Sequence, residues 1–344
     1  MEGTANSVED RLIDGLSFKH KPGASYVTER KSVTYHPQGS NIYSTNGTKL
    51  IKILLSGDQW LDPSTVRIMF DVLNTGTNNE HLRVLGGPHT FFSRMRILCG
   101  GQVVEDIDNY NRVHEMFKTL KAEDAKTNDE AEAFGNNWNY DTTMTTNILS
   151  GISAGQSQTV LFKPCSGLFN QPKMLPIRYM PITIELELVS NNTEPVVSDE
   201  QSDFTTTTSS GVLPNTSTSW QLQNVQVKCD TVTLDNQLDN SYSEHLLSGR
   251  SLPINYQTYV SQKQSTLSGT NGQQQVRLNV TRALSRLKNV FITLDKPTTD
   301  VGIKEWNNFY SPLIPKNDPL LRKRKGPWSS KLLSVSLIFT SSIL

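Results

Sequence analysis

Residues Met95 to Phe117 read MRILCGGQVVEDIDNYNRVHEMF, and this stretch decides the fold. Met95, Ile97 and Cys99 alternate with other positions, which is the period of a half-buried strand. Gly100-Gly101 follows and supplies the positive φ that a tight hairpin turn needs. Val103 and Val104 resume the strand. Val113, Met116, Phe117 and Leu120 then fall at helical spacing. The spacing predicts a short amphipathic helix that leaves the sheet and packs one face on it. The stretch is built to make a sheet with a helix laid against its rim. Nothing in it is built for chemistry.

Composition agrees with that reading. The chain has 344 residues, enough for two ordinary domains or one large one. Lys plus Arg is 33 and Asp plus Glu is 33, so there is no global field to hold nucleic acid by phosphate neutralisation. Charged residues make up 19%, and the chain leans to Ser, Thr, Asn, Gln and Gly. Many strands joined by polar turns suit that balance better than helices do. Cys99, Cys165 and Cys229 are far apart, with no Cys-x-x-Cys pair. They are expected to be buried free thiols made in a reducing compartment. The N-terminal MEGTANSVEDRLIDGL lacks the apolar region of a signal peptide. Leu332 to Leu344 is broken by serines and falls well short of the ~20 apolar residues of a spanning helix.

Working outward, residues 1–25 read as a charged arm and Tyr26 to Tyr35 as a strand. Leu50 to Leu55 is a short apolar run of strand length. Val66, Ile68, Phe70 and Val72 alternate with Arg67, Met69 and Asp71, the cleanest strand pattern in the chain. Residues 122–141 extend the helix and then loop out. Val160 to Phe162 begins a strand that Pro164 interrupts. Ile182, Ile184, Leu186 and Leu188 alternate with Thr183, Glu185 and Glu187, after a segment that Pro172, Pro176 and Pro181 confine to irregular or edge structure. Residues 192–219 are polar and of low complexity, and read as a linker or exposed loop. Trp220 to Leu234 is a strand whose apolar phase slips between Cys229 and Val232, which predicts a β-bulge. Asp235 to Leu247 reads as helix or turn. Gln274 to Val280 and Val290 to Leu294 read as two further strands. From about Leu320 onward no strand–turn pattern continues a sheet.

Several of these segments resemble, in order, the double jelly-roll major capsid proteins of double-stranded DNA viruses. The relevant viruses are the nucleocytoplasmic large DNA viruses, Polinton-like viruses, adintoviruses and virophages. The resemblance is carried by the apolar strand, Gly100-Gly101-Gln102, Val103-Val104, Ile107-Asp108 and the helix. It continues in Leu175-Pro176 leading into strand 182–188, in Trp220 to Leu234 with Asp235 and its polar continuation, in Leu284 to Val290, and in Phe309-Tyr310-Ser311-Pro312. It covers Leu50 to Pro312, and the ordered set carries it rather than any one motif. It implies an all-β fold of two antiparallel eight-stranded jelly-roll sandwiches in tandem, with short helices in the connections. The expected division is an arm at 1–25, a first jelly roll at 26–191, a linker or loop at 192–219, an incomplete second jelly roll at 220–319, and an atypical basic and apolar tail at 320–344. About half of a second jelly roll is legible. The expectation is therefore a truncated chain with unpaired sheet edges.

Candidate chemistry is sparse. Gly151-Ile152-Ser153-Ala154-Gly155 fits G-x-S-x-G, but a nucleophile elbow needs a helix after the Ser, and Gln156 to Phe162 reads as a strand. His20, His36, His81, His89, His114 and His245 show no metal-ligating spacing. His114-Glu115 is expected on a solvated helix face. Asp106 and Asp108 are candidates for a divalent ion, with helix capping the commoner role. Arg322 to Lys325 is a basic run that reads as a solvated tail or a nucleic-acid patch. The five tryptophans show no spacing of a single-strand stacking platform. No catalytic, cofactor or metal site is expected.

The resemblance implies a structural role. Three chains would form a pseudo-hexagonal capsomer of an icosahedral shell. Partners would be other copies, neighbouring capsomers and minor capsid or penton proteins, with a possible inner membrane beneath the shell. It implies a place in the virion, with assembly in host cytoplasm or nucleus and no secretion. The alternative from the residues alone is a monomeric β-sandwich binding module, for example for carbohydrate.

Overall fold

The computed structural model describes residues 27–77, 80–82, 84, 87–121, 151–196, 217–265, 287–295 and 334–343. The strands and helices in chain order are β1 (Val27–Tyr35), β2 (Ile42–Tyr43), β3 (Leu50–Leu55), β4 (Trp60–Asn74), β5 (His81–Leu82), β6 (Phe92–Cys99), β7 (Gln102–Asp108), α1 (Tyr110–Thr119), β8 (Ile152–Ser153), β9 (Ser157–Phe162), α2 (Gly167–Asn170), β10 (Leu175–Pro176), β11 (Ile182–Leu188), β12 (Trp220–Leu234), α3 (Asn236–Leu247), β13 (Tyr256–Ser265), β14 (Leu287–Asp295) and β15 (Ser334–Ile343). A 3-10 turn, Pro88–Phe91, leads into β6. The expected strand at 274–280, the loop at 122–141, the arm at 1–25 and the basic run at 322–325 lie outside the described residues.

Two antiparallel sheets make a sandwich. The first runs β1-β12-β4-β10, with β2 also on β12 and β9 also on β4; the second runs β3-β11-β6-β7. Alternation decides which side chains meet between them. Val66, Ile68, Phe70 and Val72 of β4 are fully buried, as are Ile182, Ile184 and Leu186 of β11. Phe70 sits at the centre, edge-on to Phe91, Phe92 and Phe162 at 6.1, 5.5 and 6.3 Å between ring centres. Those rings come from both sheets and the 3-10 turn, so one residue ties three elements together.

The Gly100-Gly101 turn has the expected shape. Its φ angles are +56° and +85°, the left-handed pair that a two-residue hairpin between β6 and β7 requires. Glycine meets that need without the cost of a Cβ.

Strand β12 is a correction to the sequence reading. It follows the low-complexity segment and was expected to open a second jelly roll. It lies instead between β1 and β4, its partners running from Trp220 opposite Asn74 to Val232 opposite Trp60. The physical reason is burial. Leu222, Val225 and Val227 are all fully buried and extend the face of β4. The bulge expected in β12 after Cys229 is not there: residues 229–232 stay in step with β1, and the register break between Lys228 and Asp230 is taken up by extra residues of β4. The extra residue of β12 lies earlier, between Gln223 and Gln226, where Asn224 has φ +51°.

The last strand is a second correction. Residues 334–343, read as tail, form β15 at the centre of a third antiparallel sheet, β13-β15-β14. Each neighbour pairs with it along almost its whole length. Helix α3 begins where Asp235 caps the Gln237 N–H at 3.2 Å.

Candidate functional site

Two buried polar clusters flank the β6–β7–α1 unit. The first lies under α1. The helix starts at Asn109, which has φ +49° and makes no side-chain cap. Asp106 and Asp108, the candidate ion ligands or caps, instead face Arg94, at 2.7 and 3.0 Å. Cross-strand pairing places Arg94 opposite Asp108 and beside Asp106, so the acids are held by a guanidinium.

Helix α1 does not present His114-Glu115 to solvent, which corrects the sequence reading. His114 is 6% exposed and Glu115 8%. The His114 ring stacks on His89 of the 3-10 turn, 4.0 Å between centres and 21° between planes. His89 Nε2 lies 2.7 Å from Glu115 Oε2, and His114 Nδ1 lies 3.2 Å from the Tyr110 hydroxyl. That hydroxyl accepts the Cys165 N–H at 3.0 Å. Burial holds both imidazoles well below the ordinary histidine range, with Lys118 and Lys121 adding to the effect. A neutral His89 donates from Nε2 to Glu115, which leaves its buried Nδ1 without a hydrogen-bond partner.

The second cluster is the seam between the sandwich and the third sheet. Glu105 of β7 points inward and is 1% exposed. Its carboxylate accepts from the Ser166 hydroxyl, from Gly167 N at 3.0 Å and from Leu168 N at 3.3 Å. Burial pushes it up to about 7; hydrogen bonds from Ser166, Gly167, Leu168 and Thr258 oppose the rise. Strand β13 crosses this point. The Tyr256 hydroxyl donates to Val104 O at 3.0 Å, and the Ser261 hydroxyl donates to Asp108 O. Phe117 of α1 packs on Tyr259 and Phe291 at 4.6 and 5.6 Å. A Cβ on Gly167 would overlap the Gln257 carbonyl. The backbones therefore touch here as only glycine allows.

The remaining candidates are dispersed. Ser153 is exposed in β8, opposite His81 in register, and leads through a turn into β9. The strand–nucleophile–helix order of an elbow is absent at that point. Burial raises all three thiols, Cys99 to about 11 and Cys165 and Cys229 to about 12, so none is a ready nucleophile. Among the described residues no group of three His, Cys, Asp or Glu side chains gathers as metal ligands. No helix among them is long and apolar enough to cross a membrane. Sequence reasoning missed Glu105, Gly167 and the His89 partner. Their neighbours lie far along the chain, and no local pattern marks them.

No family model matches the chain, and no curated protein sequence matches it. Solved structures do. A quasi-atomic model of the PBCV-1 virus capsid superposes with a TM-score of 0.48 at 16% identity, covering 81% of this chain and 59% of that one. The Faustovirus major capsid protein gives 0.43 at 10%, covering 84% and 66%. The STIV MCP crystal structure gives 0.45 at 9%, covering 91% and 96%. The chain thus spans 59% of the length of the PBCV-1 chain it resembles.

Proposed function

We propose that this chain is a structural protein of a viral shell, a major capsid protein whose three copies form a pseudo-hexagonal capsomer of an icosahedral capsid. The observation that carries the reading is the seam. A β-sandwich and a further antiparallel sheet meet through the Gly167–Gln257 backbone approach and the buried Glu105, which makes two β-units act as one block. A tile that presents two similar units side by side from each of three chains needs that kind of rigidity. The ordered resemblance from Leu50 to Pro312 supports the same reading.

In this reading the chain divides into two jelly rolls, the second incomplete, with strand 220–234 closing the first. Function lies in surfaces rather than a pocket. Residues 122–157 and 191–219 supply the outward loops and trimer contacts, and residues 1–25 reach neighbouring capsomers or minor proteins beneath the shell. The protein acts in the virion after assembly in the host cytoplasm or nucleus. Electron microscopy of the purified chain tests this. Three-fold averages with a pseudo-hexagonal outline are expected. Single particles the size of one chain would overturn the reading and favour the monomeric binding module.

A further inference from the structure

The contacts of α1 depend on two histidines staying neutral. His89 and His114 are stacked face to face at 4.0 Å, one from the 3-10 turn and one from the helix. Both are buried, at 0% and 6% exposure. Glu115 is the acidic side chain in contact with the pair, and it meets His89. On the other side His114 meets the Tyr110 hydroxyl, itself bonded to the N–H of Cys165. From β9 the Phe162 ring covers His114 at 5.7 Å. Lys118, in the last turn of α1, and Lys121, just beyond it, place positive charge near both rings. One imidazolium could lean on Glu115. A second would face the first across the stack, walled by Phe162 and the Tyr110 hydroxyl, and among the described residues no second carboxylate is recorded against the pair.

We propose that the His89–His114 stack is an acid-operated latch, which holds α1 on the sandwich at neutral pH and releases it on acidification. The sign follows from linkage. The closed form binds no protons on these rings, while the open form exposes both. Opening is then favoured as pH falls below about 6.5, the ordinary histidine value, by roughly tenfold per ring for each pH unit. Two rings give a dependence of about a hundredfold per unit. Release would detach Phe117 from Tyr259 and Phe291, so the seam would lose an aromatic anchor. The device holds whether or not the chain assembles.

Hydrogen exchange on the full chain tests it. Amides of Tyr110–Thr119 are compared with those of Ile182–Leu188 at about pH 7.5 and about pH 5.5, each corrected for intrinsic chemistry. The proposal expects α1 protection to fall by one to two orders of magnitude (about a hundredfold at most over the last unit) while β11 changes little. The variant His114→Phe retains an aromatic stack beside Phe162 and should halve the logarithmic slope; His89→Gln with His114→Phe should abolish it. Equal slopes in wild type and variants would overturn the latch. Proton NMR of the wild-type imidazoles needs no variant: either ring titrating near its ordinary value while α1 stays protected would overturn it too.

Discussion

Gly167→Ala is the sharpest probe of how the third sheet is held. The added Cβ would overlap the Gln257 carbonyl, so β13 must move away from α2. Its anchors move with it. The Tyr256 hydroxyl leaves Val104 O, the Ser261 hydroxyl leaves Asp108 O, and Phe117 loses the Tyr259 and Phe291 rings. Each net hydrogen bond is worth about 1 kcal/mol and each aromatic pair about the same, so docking should weaken by roughly 4 kcal/mol. The core around Phe70 is untouched. The assay is chemical denaturation read by fluorescence of the buried Trp60 and Trp220, in a background carrying Trp138→Phe, Trp306→Phe and Trp328→Phe, with limited proteolysis of residues 250–344 in parallel. The substitution should split the protection: early cleavage beyond residue 250, with an unchanged tryptophan transition. Wild-type resistance in both regions would refute the claim that backbone contact at Gly167 fixes the seam.

Other outcomes follow from the same geometry. Glu105 is held near 7 against an ordinary carboxyl value of 4.5, so its contribution to folding is fully present below about pH 4.5 and is lost as pH rises through about 7. The loss is on the order of 3 kcal/mol, and Glu105→Gln should flatten that part of a stability–pH curve; an unchanged curve would count against it. Phe70→Ala removes the ring that meets Phe91, Phe92 and Phe162 and should cost about 4 kcal/mol in chemical denaturation. A loss below about 2 kcal/mol would mean that the core refills the space. All three cysteines should resist a thiol reagent in the native chain at mildly alkaline pH and react after unfolding, since burial raises each thiol.

The parts of this fold that were legible in the sequence are those whose partners are close along the chain or whose pattern is local. The alternation in β4 and β11 named their buried faces, and Gly100-Gly101 named the hairpin. The phase slip after Cys229 misplaced the bulge, since the extra residue of β12 lies between Gln223 and Gln226. What failed depended on distant partners. Strand β12 reads like the start of a new unit because its partner β4 lies before a long polar segment, and only the shared core reveals the pairing. His114 and Glu115 fall at polar positions of a helix that looks one-sided. The 3-10 turn and β9 cover that second side, bringing His89 and Phe162 against it. The β15 pattern was present in the residues, since Val335, Leu337 and Phe339 alternate with Ser336, Ile338 and Thr340. The flanking serines and the basic run before it hid the strand. Glu105 was not legible, because a buried acid is recognised by the amides that meet it, and those belong to α2.

The central claim is that the chain is a tile that associates with its own copies. Light scattering on the purified protein measures this directly. The account predicts a stable particle of three times the 38.5 kDa of one chain, and a folded particle of one chain's mass at assembly concentrations would contradict it.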